Sequence, residues 1–281
     1  MPAYLCTACG LQFPPAEAPP ARCPVCDETR QFIPAVGQTW TTLDALSRRH
    51  RNAFQRIEPG LYGIGTTPDF AIGQRALLVR RPEGNILWDC VALIDDATID
   101  LIQGLGGISA IAISHPHYYT TMIEWSRAFG DVPIHLHEAD RAFVARPDPA
   151  IRFWSGDRLD LGGGVSVIRT GGHFPGSAVL HWPAGAEGQG VLLTGDTIQV
   201  VADRRWVSFM YSYPNQIPLP ARAVAAVRDA VEPLAFERIY GAFWHSIVAE
   251  DAKGAVRRSA DRYIAAITEP AAGASSRRET A

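Results

Sequence analysis

The sequence predicts a layered α/β domain preceded by a small metal-binding module. Helix and strand patterns alternate along most of the chain, which is typical of sheets covered by helices. Four of the five cysteines fall in two C-x-x-C pairs within the first 26 residues, a spacing typical of a metal site. With 281 residues and 47% hydrophobic content, the chain can bury a substantial core. We predict four parts: a module at 1–35, a linker at 36–52, a main domain at 53–268 and a disordered tail at 269–281.

Composition and charge exclude several classes of partner. A net charge of -3 provides no broad cationic surface for a phosphate backbone, so we expect no nucleic-acid partner. No run approaches the roughly 18 apolar residues of a membrane span, and the N-terminus "MPAYLCTACG" lacks the basic and apolar regions of a signal peptide. We therefore expect a cytoplasmic protein that does not contact a membrane.

The predicted module is built around Cys6, Cys9, Cys23 and Cys26. Two C-x-x-C knuckles separated by about 13 residues supply four thiolates for a tetrahedral metal site, which suits a reducing compartment better than disulfides do. The stretch resembles both zinc ribbons and rubredoxins, which implies either structural zinc or iron acting as an electron carrier. Asp27 stands where a glycine commonly follows the second rubredoxin knuckle, and this favours zinc. Such a module could also contact a protein partner.

Secondary structure is predicted from hydrophobic periodicity and turn residues. The linker should contain a short helix, "TLDALSRRH", with Thr41 or Thr42 as its N-cap. Strands are predicted at "FQRIEPGLYGI", "RALLVRRPEGNILWDC" (a hairpin), "ISAIAIS", "VPIHLH", "GDRLDLGGGVSVIRTGGH", "GVLLTGD" and "FERIYGAF". Helices are predicted at "DATIDLIQGLGG", "TTMIEWSRAFG", "PARAVAAVRDAV" and "DAKGAVRRSADRYIAAI".

Metal-ligating side chains follow several of the predicted strands. His115 and His117 come after "ISAIAI", His173 lies in the glycine-rich stretch "TGGHFPGS", Asp196 ends "LLTGD", and His245 follows "YGAFW". Because each residue lies at the exit of a strand, all of them can converge on one edge of a layered domain. Imidazoles with a carboxylate suit zinc or iron, so we predict a zinc or iron centre there.

In their order along the chain, "SHPHYYTTM", "GGHFPGS", "TGDTI" and "FWHS" resemble the motifs of the metallo-β-lactamase fold superfamily. The resemblance spans nearly all of the main domain and implies a four-layer αββα sandwich. It also implies that His115, His117 and His173 bind a first metal, that Asp196 bridges to a second metal, and that His245 binds the second.

The first motif departs from the superfamily pattern at two positions. Tyr119 and Thr120 stand where that pattern has an aspartate and a histidine, so two ligands of the second metal are missing. We therefore predict one metal, or one metal with a weak second site. Tyr118 and Tyr119 either donate hydrogen bonds to a substrate oxyanion or pack beneath the next helix. The segment "SFMYSYPNQIPLP" either covers apolar surface or roofs the cleft.

A metal-dependent hydrolase that acts on a small-molecule substrate through a metal-activated water is the function that this pattern favours. Asp196 would hold the attacking water, His245 would donate a proton to the leaving group, and Tyr119 is a further catalytic candidate. Two alternatives stay open. One is an iron-dependent, dioxygenase-like redox enzyme that uses the rubredoxin-like module, with His115, His173 and Asp196 as ligands. The other is a non-catalytic metal-binding scaffold.

Overall fold

The computed structural model describes residues 1–268, so the predicted tail at 269–281 lies outside the described residues. The N-terminal module forms a three-stranded antiparallel sheet of β1 (Ala3–Cys6), β2 (Gln12–Pro15) and β3 (Trp40–Thr42), in the order β2-β1-β3. Strand β3 falls in the predicted linker, where only a helix was expected. Because it pairs with β1 residue for residue, that part of the linker extends the module's sheet.

The predicted linker helix is present as α1 (Leu43–Ser47). Thr42 is its N-cap, with an extended backbone, and its hydroxyl accepts a hydrogen bond of 3.2 Å from the Ala45 N–H. This bond satisfies one of the amides that a helix start leaves without a partner. Thr41 and Thr42 were the two candidates for the N-cap, and the structure shows that Thr42 is the cap.

The main domain contains a seven-stranded sheet in the order β10-β9-β8-β7-β6-β5-β4. Its strands are β4 (Arg51–Glu58), β5 (Leu61–Thr67), β6 (Arg75–Val79), β7 (Ile86–Trp88), β8 (Ala110–Ala112), β9 (Ile134–His137) and β10 (Ile151–Trp154). Strands β4 to β7 form an antiparallel meander, and β7 to β10 are parallel. The predicted hairpin between β6 and β7 is confirmed, whereas β10 was not predicted.

A six-stranded sheet, in the order β11-β12-β13-β14-β19-β20, faces the first. Its strands are β11 (Arg158–Asp160), β12 (Ser166–Arg169), β13 (Ala178–Trp182), β14 (Val191–Leu193), β19 (Arg238–Tyr240) and β20 (Ile247–Val248). Two short hairpins lie between β14 and β19 in sequence: β15 (Gln199–Val200) with β16 (Val207–Ser208), and β17 (Met210–Ser212) with β18 (Ile217–Pro218). The second, residues 210–218, is called the covering hairpin below.

Four longer helices cover the outer faces of the two sheets. They are α2 (Asp96–Gly104), α3 (Met122–Ala128), α4 (Ala221–Val231) and α5 (Ala252–Thr268). Strand β6 shows the resulting layers: Leu78 packs on the side that holds α2 and α3, whereas Leu77 and Val79 pack between the sheets. Strands that are buried on both faces, as β6 is, have continuous apolar sequences. The predicted four-layer αββα sandwich is therefore confirmed.

Among residues 1–268, no helix is both long and apolar enough to cross a membrane.

Candidate metal centres

Two groups of potential metal ligands are present among the described residues, one in the module and one in the main domain. In the module, the sulfur atoms of Cys6, Cys9, Cys23 and Cys26 all lie within 4.8 Å of one another. Cys6 Sγ lies 3.6 Å from Cys26 Sγ, and Cys9 Sγ lies 3.6 Å from Cys23 Sγ. Zn–S bonds of about 2.3 Å in a tetrahedron place the sulfurs about 3.8 Å apart, so these residues fit a bound ion.

Burial also favours a cation among the four sulfurs. All four cysteines are at most 2% exposed, and none forms a disulfide. The Cys23 side chain raises the pKa of the Cys9 thiol and lowers that of the Cys6 thiol, so the four groups share their protons unequally when no ion is bound. Four buried thiolates at this spacing would repel one another, and a bound metal ion would offset that repulsion.

The second group brings together His115, His117, His173 and Asp196, whose ligand atoms also lie within 4.8 Å of one another. His173 Nε2 lies 3.3 Å from His117 Nδ1, and His115 Nε2 lies 3.4 Å from Asp196 Oδ2. Four tetrahedral ligands at about 2.0–2.1 Å from one metal are separated by about 3.3 Å. The distances therefore match two edges of a tetrahedron around a single ion.

The chain positions His115 through a buried relay of hydrogen bonds. Ser114 Oγ donates to Asp89 Oδ1 at 2.8 Å and lies 2.8 Å from His115 Nδ1, so Nδ1–H donates to Ser114. This tautomer leaves His115 Nε2 with a free lone pair, and Nε2 is a buried atom without a hydrogen-bond partner. Burial raises the pKa of Asp89 to about 7, although its hydrogen bonds from Ser114 act to lower it.

His173 is oriented by the covering hairpin. Its Nδ1–H donates to the Met210 carbonyl at 3.0 Å, which leaves the Nε2 lone pair pointing at His117 Nδ1. Burial lowers the pKa of His173 well below its ordinary value and that of His117 to about 4. Both imidazoles are therefore neutral near pH 7, the state in which a histidine binds a metal.

Asp196 is held by two tyrosines. Tyr118 donates from its hydroxyl to Asp196 Oδ1 at 2.5 Å, and Tyr213 donates to the Asp196 carbonyl at 2.8 Å. Burial acts to raise the pKa of Asp196, but the imidazoles of His115 and His117 hold it well below its ordinary value. Asp196 is therefore a carboxylate with one oxygen on Tyr118 and the other turned to the histidines.

Gly195 permits the close approach that brings Asp196 into the group. Its φ of +51° lies in the left-handed region, and an added Cβ would lie 2.5 Å from Ser114 Oγ. A side chain at this position would therefore displace the hydrogen-bond relay behind His115.

A cavity of about 150 Å³ opens onto three of the four ligands, His117, His173 and Asp196. The rest of its lining comes from the module, from the main domain and from the covering hairpin: Gln31, Ile72, Gln199, Tyr213, Pro214 and Phe243. The segment "SFMYSYPNQIPLP" thus contributes to the wall of the cleft as well as covering apolar surface. The cysteine sulfurs contribute nothing to this cavity.

His245 is not brought into the group, although the resemblance implied a second-site ligand there and we predicted it as a proton donor. Its side chain is exposed, and the residue contributes neither a ligand atom nor cavity lining. The cause is the turn that carries it: Gly241 N–H donates to the Ser246 carbonyl at 2.8 Å, and buried Arg75 donates to the carbonyls of Gly241 and Trp244. The anchored turn leaves His245 on the surface.

The two positions that depart from the superfamily pattern face the module. Tyr119 is 1% exposed and packs in the apolar cluster that contains the cysteines, and the hydroxyl that reaches Asp196 belongs to Tyr118. Thr120 accepts at its carbonyl from Gln12 N–H at 3.2 Å, and its methyl group lies against Gly10. The module therefore covers the side of the loop where the missing aspartate and histidine would stand.

Several residues that position the ligands were not identified as such from the sequence. Tyr118, Met210 and Tyr213 hydrogen-bond to Asp196 or His173, whereas Asp89 acts on His115 through Ser114. Tyr118 lies in the first motif, and Met210 and Tyr213 lie in "SFMYSYPNQIPLP", so these segments were noted but the contacts were not. The signal for Asp89 was "WDC", an acidic residue at the end of an apolar strand.

Comparison with solved structures agrees with this architecture. The DIM-1 metallo-β-lactamase superposes with a TM-score of 0.57 at 12% identity, covering 77% of this chain and 98% of that one. A metallo-β-lactamase of Cronobacter sakazakii gives a TM-score of 0.51 at 17% identity, covering 79% and 95%. The main domain therefore has the metallo-β-lactamase fold.

No family model matches the sequence. The uncharacterized protein YmaE of Bacillus subtilis strain 168 is 51% identical over 269 residues, which cover 95% of this chain and 97% of YmaE. The chain belongs to the same family as YmaE, and the similarity extends over nearly the full length of both proteins.

Proposed function

We propose that the protein is a metal-dependent hydrolase with a single metal held by His115, His117, His173 and Asp196. The observation that carries the proposal is that four ligand atoms converge and that a cavity opens onto three of the residues that carry them, His117, His173 and Asp196. A metal bound there would supply Lewis acidity and would lower the pKa of a water molecule to about 7. Zinc fits the donor set of three imidazoles and one carboxylate, and because zinc can expand from four ligands to five, a water molecule could still bind it from the cavity side.

The residues of the chain orient the ligands and exclude bulk water from the site. Ser114, itself hydrogen-bonded to Asp89, fixes the tautomer of His115, and the Met210 carbonyl fixes that of His173. Tyr118 holds the Asp196 carboxylate. Burial raises the pKa of Tyr118 well above its ordinary value, so its hydroxyl remains a donor at neutral pH. We assign Asp196 the role of holding the attacking water from the cavity side. His245 and Tyr119 have no place in this mechanism.

The cavity favours a small substrate. A volume of about 150 Å³ is below the roughly 300 Å³ of common ligand pockets. Gln199 Oε1 is a buried acceptor without a partner in the described chain, so it is available to a substrate N–H or O–H group. We therefore propose a short acyl ester, thioester or amide, in which such a donor can lie beside the scissile bond.

The iron-dependent alternative used only His115, His173 and Asp196. The inclusion of His117 Nδ1, 3.3 Å from His173 Nε2, favours a four-ligand centre instead. We further propose structural zinc for the four-cysteine site. The cytoplasmic location and a protein partner bound through the module remain predictions.

Purified protein with its native metal can be assayed against short acyl esters, thioesters, amides and a phosphodiester. We expect the unmodified protein to turn over an acyl substrate. The His173→Ala variant should lose this activity and should also lose one metal ion per chain. Iron at the histidine site, with oxygen consumption and no hydrolysis, would support the redox alternative. If the histidine cluster binds metal but no substrate is turned over, the non-catalytic metal-binding scaffold would be supported.

A further inference from the structure

The segment that follows the second cysteine knuckle, residues 27–31, is called the knuckle loop here. It lies against the main domain beside the histidine cluster, and Gln31 forms part of the cavity wall. We infer that the four-cysteine module is a structural part of the histidine metal centre, with Arg30 as the positioning residue that connects them. The inference rests on the proposed metal at the histidine cluster and not on hydrolysis.

Arg30 contacts the backbone of a metal ligand directly. Its Nε donates to the carbonyl oxygen of His173, and its guanidinium group also forms an ion pair with Glu28. The guanidinium centre lies 4.5 Å from the Phe174 ring and 4.3 Å from the Tyr211 ring. With a side chain only 13% exposed, Arg30 is fixed by planar contacts and by hydrogen bonds at once.

The knuckle loop also holds the covering hairpin, which orients the ring of His173. Ser212 Oγ donates to the Arg30 carbonyl at 2.9 Å, and Thr29 Oγ1 is hydrogen-bonded to the Tyr211 hydroxyl at 2.6 Å. Asn215 Nδ2 donates to the carbonyls of Thr29 and Gln31. These bonds hold the residues that directly follow Met210, whose carbonyl accepts from His173 Nδ1.

His173 is therefore supported by the module in two ways. Arg30 fixes its backbone, and the covering hairpin, tied to the same loop, fixes its ring. Because the knuckle loop begins directly after Cys26, an ion among the cysteines sets where the loop lies. Changes to groups that orient a metal ligand typically weaken metal binding by about 10–100-fold. Loss of the module's ion should therefore weaken metal binding at the histidine cluster.

Titration of the metal-free full-length protein with Co²⁺ tests this inference. Thiolate-to-cobalt charge-transfer absorption reports the cysteines, and the histidine cluster is followed by its own d–d bands, which with imidazole and carboxylate ligands are weaker and lie at shorter wavelength than those of the four-thiolate site. Arg30→Gln should weaken Co²⁺ binding at the histidine cluster about tenfold and shift its d–d bands, with the thiolate absorption unchanged. Arg30→Lys, which keeps a donor and a charge, should recover part of the affinity.

Arg22 provides a matched control in the same module, because its side chain is 72% exposed and, within residues 1–268, pairs with Asp27 alone and makes no contact with His173. Arg22→Gln should leave both sites within twofold of the unmodified protein. If Arg30→Gln does not fold, the Asn215→Ala variant serves as the test in its place. Its Co²⁺ affinity at the histidine cluster should fall about threefold.

The Cys26→Ser variant, titrated in the same way, tests separately whether the cysteine-bound ion affects the histidine cluster. We expect it to lose the thiolate absorption and also to bind Co²⁺ at least tenfold more weakly at the histidine cluster. Unchanged d–d bands and affinity in Arg30→Gln, or in Cys26→Ser after loss of the cysteine-bound ion, would overturn the inference. If the unmodified protein shows no d–d bands from the histidine cluster, the proposed function fails instead.

Discussion

The four-cysteine cluster and the histidine cluster are both buried, yet they differ in what surrounds them. The cysteines pack in an apolar cluster and have no part in the cavity, whereas three of the four histidine-site ligands line it. Four thiolates complete a tetrahedron and leave no position for a substrate, which is typical of a structural site. The histidine cluster combines the same compactness with access for a small molecule, which is what catalysis requires.

The largest effect in this comparison is expected from breaking the four-cysteine site. Binding of structural zinc stabilises small zinc domains by about 10 kcal/mol or more, so Cys9→Ser should release one ion per chain and unfold the module. Elemental analysis and circular dichroism would measure both changes. Cys90, the fifth cysteine, is fully buried but lies outside the cluster, so Cys90→Ser should keep all of the metal. Equal metal loss in the two variants would argue against a four-cysteine ion.

A smaller effect is expected from Tyr118→Phe, which removes the hydroxyl on Asp196 without changing the shape of the core. Because Asp196 would lose a buried partner, the affinity of the histidine cluster for Zn²⁺ should fall about tenfold. Chelator competition measures this affinity. Tyr119→Phe alters a neighbouring buried tyrosine that packs away from Asp196, and it should have little effect. If Tyr119→Phe lowered the Zn²⁺ affinity more than Tyr118→Phe, the sequence-based assignment of Tyr119 as the catalytic tyrosine would be restored.

Gly195→Ala should combine backbone strain with steric displacement. A non-glycine residue in the left-handed region costs about 1–3 kcal/mol, and the new Cβ would approach Ser114 Oγ. We expect a fall of that size in the free energy of unfolding, measured by urea denaturation, together with weaker metal binding. Gly188 also has a positive φ but no atom within 4 Å of an added Cβ, so Gly188→Ala should show the strain alone.

The smallest effect is expected from His245→Ala. Because this side chain is exposed and outside the cluster, the metal content and the affinity of the histidine site should change less than twofold. Metal analysis of the purified variant is sufficient. A loss of one ion would mean that His245 closes onto the centre, as the resemblance to the superfamily implied.

The periodicity of the sequence predicted most of the fold, because strands buried on both faces and amphipathic helices leave clear patterns. The strands that were missed include β3, β10 and β13. β3 is defined by its pairing with β1 and β10 by its pairing with β9, rather than by their own composition. β13 (Ala178–Trp182) is buried along its whole length, so it lacks the alternation of apolar and polar residues that marks a half-buried strand. The convergence of His115, His117, His173 and Asp196 followed from their places at strand ends. What could not be read was the hydrogen bonding around them, since Arg30 and Met210 meet His173 only through the fold.

The most direct test of the central claim is the metal content of the protein, measured by elemental analysis on the unmodified chain and on His115→Ala. A closed four-cysteine site and a single-metal histidine site predict about two ions per chain, two being the number of ligand groups in the described residues. His115→Ala should retain one ion, bound by the cysteines. Three ions in the unmodified protein, or an unchanged content in His115→Ala, would contradict this account.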